Sequence, residues 1–152
     1  MDRYGGVFEH SPWVAEAAWD ARPFADGHDL HAKLVAAMRA APRERKVELI
    51  RAHPDLAGRA AVAGTLTSDS AREQAAAGLD RLTRPQYDEL TRLNAAYRER
   101  FGFPFVICAR EHDAASIITA AAERLQNEPP VEEDTALREI EKIARLRLEQ
   151  LP

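Results

Sequence analysis

Thr83-Arg84-Pro85-Gln86-Tyr87-Asp88-Glu89-Leu90-Thr91-Arg92-Leu93-Asn94-Ala95-Ala96-Tyr97-Arg98-Glu99-Arg100-Phe101-Gly102 sets the fold class. Tyr87, Leu90, Asn94, Tyr97 and Phe101 recur at alternating spacings of three and four, the period of one helical face. Gly102 supplies the stop. The same period governs nearly all of the chain on either side. Upstream, Ser11-Pro12 reads as an N-cap followed by proline at the first helical position. It opens a helix over 13–21 that Arg22-Pro23 breaks. Asp26 or Asp29 caps a second helix, with Leu30, Leu34 and Met38 on one side. Pro42 starts a third, carrying Val47 and Ile50 towards Ala52, and His53-Pro54 interrupts it. The stretch 56–64 is small and flexible, at best one short helical piece. A helix over 68–82 follows, and its Ser70-Ala71-Arg72-Glu73 matches the capping-box pattern. Downstream, Phe103-Pro104-Phe105-Val106-Ile107-Cys108 is strand-like but contains proline and has no second run to pair with. It reads as a buried extended segment. Asp113 caps a helix through Ile117, Ile118, Ala121 and Leu125, and Pro129-Pro130 sets off a last helix over 131–150. The expectation is an all-α, compact single domain over 1–152, of seven or eight helices and no sheet.

Composition agrees with that class. The chain has 152 residues, 45% of them apolar and 30% charged. A domain of this length buries roughly 70% of its unfolded surface. No apolar run approaches the roughly 20 residues of a membrane span. The net charge of −4, from 21 basic and 25 acidic residues, argues against nucleic acid or an anionic membrane as partner. Eighteen of the basic residues are arginine; a GC-rich genome explains the excess as readily as a special role for guanidinium. A lone cysteine, Cys108, excludes an intramolecular disulfide and a multi-cysteine metal site.

Four groups invite chemistry, and each has a structural alternative. His28 and His31 share a helical spacing, but two histidines alone make a poor metal site. His53 ends a helix and precedes Pro54, which pushes its backbone towards extended conformations. Its imidazole either trades protons with a ligand or satisfies the last carbonyls of its helix. Glu73 either closes a capping box or joins Ser70 and Gln74 at a helix N-terminus, where hydroxyl, carboxylate and amide suit a ligand rich in N–H and C=O groups. Arg147 follows Ile140, Ile143 and Ala144 by seven, four and three residues, so it falls on their inward face, whereas Arg138 and Arg145 diverge. A buried guanidinium needs an internal carboxylate or a bound anion. Cys108 reads as a small buried hydrophobe, and Tyr87 and Tyr97 as core.

Four segments together resemble one family. They are Arg51-Ala52-His53-Pro54-Asp55-Leu56-Ala57-Gly58; Ser70-Ala71-Arg72-Glu73-Gln74 with Ala77-Gly78-Leu79; Leu93-Asn94-Ala95-Ala96-Tyr97 with Phe101-Gly102-Phe103-Pro104-Phe105-Val106-Ile107; and Lys142-Ile143-Ala144-Arg145-Leu146-Arg147-Leu148. In this order they resemble the 2-oxo-4-hydroxy-4-carboxy-5-ureidoimidazoline (OHCU) decarboxylases of urate breakdown. Phe8-Glu9-His10-Ser11-Pro12-Trp13 is similar to the family's opening helix.

The resemblance implies an all-α enzyme, commonly a homodimer, that uses neither metal nor organic cofactor. It implies that His53, Glu73 and Arg147 are catalytic and gather around one small hollow. It implies that Pro54, Ser70, Gln74, Phe105, Val106, Ile107, Cys108 and Ala109 bind substrate, the last five largely through their backbone. The implied reaction is loss of CO₂ from OHCU to give (S)-allantoin; OHCU also decays unaided to the racemate. Two rivals are a non-catalytic helical interaction module, which would expose an apolar patch, and a hydrolase of allantoin-like ureides, a class that commonly needs a metal. The N-terminal run lacks an apolar signal core and the final residues lack a Ser-Lys-Leu-type address, so the expected compartment is the cytoplasm.

Overall fold

A computed structural model describes residues 4–58, 61 and 64–151. Among these residues there are seven α-helices and no strand. The helices are α1 (Trp13–Ala18), α2 (Gly27–Ala40), α3 (Arg43–Arg51), α4 (Ser68–Ala76), α5 (Arg84–Phe101), α6 (Ala114–Arg124) and α7 (Pro129–Glu149). Two short 3₁₀ turns, Trp19–Ala21 and Ala109–Glu111, interleave. The all-α expectation therefore holds. The expected short piece at 56–64 lies partly outside the described residues.

The chain forms two compact units, Met1–His53 with Leu137–Pro152, and Pro54–Ala136. In the first, Asp26 caps α2 by accepting the Asp29 N–H at 2.8 Å. Leu30, Leu34 and Met38 are buried along one side of α2, and α1 packs against it. The α1 start differs from expectation. Pro12 itself occupies the N-cap, and the Ser11 hydroxyl donates back to the Glu9 carbonyl at 2.9 Å. Arg39 pairs with Glu141 at 2.6 Å, tying α2 to the C-terminal part of α7.

In the second unit, α5 carries the capping box, with Thr83 accepting the Gln86 N–H and the Gln86 side chain accepting the Thr83 N–H. Gly102 ends α5 with φ of 78°, a left-handed value that glycine adopts without strain. α6, capped by Asp113 and Ser116, packs on α5. Tyr97 is fully buried, with Phe101, Phe103 and Phe105 rings 4.5, 5.9 and 5.4 Å from its own. Residues 103–109 are extended, then turn, and all are buried, as read from the sequence. Tyr87 is only half-buried.

α4 departs most from its expected form. It stops at Ala76 rather than near Leu82. Leu79 N–H bonds the Gln74 carbonyl at 2.9 Å and Gly78 N–H the Ala75 carbonyl at 3.0 Å, a Schellman ending built on Gly78 at φ of 80°. The cap is also shifted. Thr67 accepts the Ser70 N–H at 3.2 Å, so Ser70 is the third residue of the helix and not its cap. Ser70 and Glu73 therefore form no capping box.

Candidate functional site

The first unit holds His53 and Arg147. His53 follows α3, and its ring satisfies one of the last carbonyls of that helix, as the structural reading of it expects. Its Nδ1 lies 2.9 Å from the Leu49 carbonyl. A carbonyl can only accept, so Nδ1 carries the hydrogen and Nε2 keeps its lone pair. Nε2 is buried and has no hydrogen-bond partner among the described residues. Burial drives the imidazole pKa down to about 4, against the Leu49 bond and the Glu9 carboxylate, which favour the protonated form; Arg147 and His10 disfavour it. At neutral pH the imidazole is an uncharged base.

Arg147 is buried on the α7 face shared by Ile140, Ile143 and Ala144, while Arg138 and Arg145 are exposed. Its Nη2 donates to Glu9 Oε2 at 2.8 Å and its Nη1 to the Gly6 carbonyl at 3.2 Å. The internal carboxylate that a buried guanidinium requires is thus Glu9, which the sequence reading did not single out. Nothing periodic marks Glu9, because it sits in irregular chain ahead of α1. The adjacent His10 is exposed, adopts a φ of 47°, and places Nε2 at 3.7 Å from Glu9 Oε1.

The second unit holds the remaining candidates. Ser70, Glu73 and Gln74 share α4; Ser70 and Gln74 are buried and Glu73 is half-buried. The 3₁₀ turn Ala109–Glu111 packs against α4, bringing the end of segment 105–109 to the same helix. Pro54 is half-buried and opens a loop held by three side chains. Asn94 Nδ2 donates to the Leu56 carbonyl at 3.0 Å, Arg98 pairs with Asp55 at 3.0 Å, and Ala57 N–H donates to Gln74 Oε1 at 2.9 Å. Ala57 has a φ of 52°, a conformation that persists only where surroundings hold it. One task of Gln74 is therefore to fix the loop after His53-Pro54. A groove of about 780 Å³ runs beside it, walled in part by Leu66, Gln74, Leu79 and Tyr87.

A buried polar network missed in the sequence fixes segment 105–109. Glu132 accepts from Tyr97 Oη at 2.6 Å, Arg124 Nε at 2.8 Å and Asn127 Nδ2 at 2.9 Å. Arg124 Nη1 donates to the Val106 carbonyl at 2.6 Å, and its guanidinium lies 4.5 Å from the Phe105 ring centre. Burial and the Glu132 carboxylate both push the Tyr97 hydroxyl pKa upward, so it remains a donor. A signal existed: Glu132, Ala136, Ile140 and Ala144 rise along α7 four at a time. Cys108 is buried, as expected of a small hydrophobe. Among the described residues, no group of three or more His, Cys, Asp or Glu is arranged to hold a metal ion.

Comparison with known proteins identifies the family of the chain. The family profile described as OHCU decarboxylase matches residues 1–149. The 2-oxo-4-hydroxy-4-carboxy-5-ureidoimidazoline decarboxylase of Amia calva is 45% identical over 151 residues, 99% of this chain and 86% of that protein. A crystal structure of (S)-allantoin synthase superposes with a TM-score of 0.78 at 30% identity, over 97% of this chain and 48% of the other. A crystal structure of OHCU decarboxylase in the presence of (S)-allantoin superposes with a TM-score of 0.81 at 24% identity, over 99% and 97%; at that identity it speaks for the fold. With a family profile spanning nearly its whole length and a relative of almost the same extent, the chain belongs to the OHCU decarboxylase family.

Proposed function

We propose that this protein decarboxylates OHCU to (S)-allantoin within urate degradation, without a metal or organic cofactor. The observation that carries the reading is His53 itself. A buried imidazole, its tautomer fixed by Leu49 and its Nε2 lone pair without a partner among the described residues, is a base made ready before substrate arrives. The family match supplies the substrate class.

Most decarboxylases need a cofactor as electron sink. OHCU carries its own. As the bond to the carboxylate breaks, the electron pair flows into the neighbouring C=N of the ring. His53 takes the hydroxyl proton and the oxygen becomes a carbonyl, the ring nitrogen that received the pair takes a proton from solvent, and a proton delivered to one face of the adjacent carbon sets the S configuration. Glu73 holds the ureido N–H groups, with Ser70 and Gln74 beside it on α4. Pro54 and the backbone of segment 105–109 shape the rest of the contact. Arg147 poses a choice. A guanidinium gripping the departing carboxylate stabilises the ground state and opposes its loss, and only interactions that strengthen towards the transition state accelerate the step. Arg147 therefore serves the ring or ureido oxygens, where negative charge accumulates.

The whole chain acts as one helical domain, a reading supported by the single family match over residues 1–149. The expected assembly is a homodimer and the expected compartment the cytoplasm; no helix among the described residues is long and apolar enough to cross a membrane. Against the interaction-module reading, Val131 is the one large apolar side chain that stands exposed among the described residues. The test is the initial rate of OHCU loss, with OHCU generated in situ. A rate above the unaided decay and proportional to protein concentration is expected. A rate independent of protein contradicts the assignment.

A further inference from the structure

The Leu56–Ala57 peptide is held at both ends. Its carbonyl accepts from Asn94 Nδ2 at 3.0 Å, and its N–H donates to Gln74 Oε1 at 2.9 Å. One peptide plane thus joins a side chain of α5 to a side chain of α4. The turn around it is closed tightly. Gly58 N–H donates to the Asp55 carbonyl at 3.3 Å, and a Cβ on Gly58 would lie 2.7 Å from the Asp55 Cβ. Arg98, one helical turn after Asn94, pairs with the Asp55 carboxylate at 3.0 Å. Asn94 and Gln74 are themselves 8% and 5% exposed. Asn94 Oδ1 is buried and has no hydrogen-bond partner among the described residues. Turning that amide over would set Oδ1 against the Leu56 carbonyl oxygen, two acceptors face to face, so Nδ2 is the end that meets Leu56. An orphaned acceptor in the interior weighs against asparagine on stability grounds. What the residue supplies is its donor contact with Leu56.

The direction of this chain of bonds is set from Asn94 onward. A donor on the Leu56 carbonyl leaves the Ala57 N–H to donate in its turn, and hydrogen bonds in series strengthen one another. Gln74 answers with Oε1, which turns Nε2 and its two hydrogens away from the peptide. We infer that Asn94 is a positioning residue for the proposed reaction: acting through the 56–57 peptide, it orients the Gln74 carboxamide so that Gln74 meets the substrate as a hydrogen-bond donor, to the ureido carbonyl oxygen. The Glu73 carboxylate, the residue before it on α4, offers acceptors only. The two side chains therefore divide a ureide between them, carboxylate to N–H and carboxamide NH₂ to C=O. This inference rests on the decarboxylase reading, in which Glu73 and Gln74 touch the substrate.

A cycle of Asn94→Leu and Gln74→Glu on the purified full chain tests it, with kcat and KM taken from OHCU generated in situ. Asn94→Leu keeps an apolar side chain of similar size and removes the donor. Gln74→Glu keeps an acceptor for the Ala57 N–H and replaces the NH₂ with a second acceptor. Asn94→Leu alone lowers kcat/KM roughly 10-fold, the worth of one hydrogen bond, chiefly through KM, because the ureido group is remote from the breaking bond. In the Gln74→Glu background, which has no donor left to orient, the same substitution changes kcat/KM by less than about twofold. A second readout needs no substrate: the ¹H–¹⁵N signals of the Ala57 amide and the Gln74 carboxamide both move in Asn94→Leu. Equal losses from Asn94→Leu in the two backgrounds overturn the inference, since a structural role alone produces them. So do an unchanged KM in Gln74→Glu and unmoved Ala57 and Gln74 signals in Asn94→Leu. Should Asn94→Leu not fold, Asn94→Asp decides. The new carboxyl donates to Leu56 only while protonated, so kcat/KM falls as the pH rises through its titration, a limb that the parent and the Gln74→Glu background lack. A profile matching the parent's, or falling alike in both backgrounds, overturns the inference. Failure of the parent protein to consume OHCU is a separate outcome and strikes the proposed function, while the Ala57 and Gln74 signals still judge the link from Asn94 to Gln74.

Discussion

His53→Asn lowers kcat by roughly 10²- to 10⁴-fold, the span of a lost general acid–base group. The substitution removes the Nε2 lone pair that is buried and unpartnered among the described residues. The Asn amide Nδ2 takes the place of Nδ1 as donor to the Leu49 carbonyl, and stability measured alongside turnover checks that the fold is kept. The parent protein should show the matching pH behaviour. The imidazole titrates near 4 because burial penalises its charged form. The uncharged base therefore persists from neutrality down to about pH 4–5, and kcat/KM falls only below that. Folding stability has a wider window. The unfolded histidine titrates near 6.5 and the folded one near 4, so between these values the unfolded chain binds more protons. Stability falls as the pH drops through that interval, by about 3 kcal/mol at most from this group. His53→Asn lacks this component of the pH dependence. Near-normal kcat in the variant removes His53 from the mechanism.

Glu132→Ala has the largest expected effect on stability. Glu132 is fully buried and gathers Tyr97, Arg124 and Asn127. Truncation strands the Arg124 guanidinium, 9% exposed, without its anion. Breaking a buried pair from one side costs about 3–5 kcal/mol. For a chain of this length that lowers Tm by roughly 6–20 °C in calorimetry. Removing both charges, as Arg124→Met with Glu132→Leu, recovers much of the loss, because no uncompensated ion remains. Arg124 also carries the Val106 carbonyl, so Glu132→Ala raises KM as segment 105–109 loosens. A Tm within 2 °C of the parent contradicts the importance given to this network.

Much of the fold was legible in the sequence because each helix buries one stripe, and a stripe shows as spacing. Arg147 was found that way, as a charge in an apolar row. Glu132 stands in a four-spaced row of the same helix and was readable by the same logic. Glu9 was not, since irregular chain has no period to violate. Local hydrogen-bond choices were also hidden. Thr67, Ser68, Asp69 and Ser70 can each cap a helix, and only the backbone path selects Thr67. Ser11 had a helix to cap and instead bonded a carbonyl behind it. The early end of α4 was encoded in Gly78, but the apolar pattern continues past it and masks the stop. Gln74 was read as a ligand group, and its bond to the strained Ala57 shows a second duty that spacing does not reveal.

The handedness of the product is the most direct test of the central claim, that side chains of this protein direct the proton and not merely the loss of CO₂. Unaided decay of OHCU gives racemic allantoin, so the amount formed is uninformative. Circular dichroism of allantoin formed from in situ OHCU should show the S enantiomer in large excess with the parent protein, and an excess collapsing towards zero with His53→Asn. Racemic allantoin from the parent protein, or an undiminished S excess at undiminished rate from His53→Asn, contradicts it.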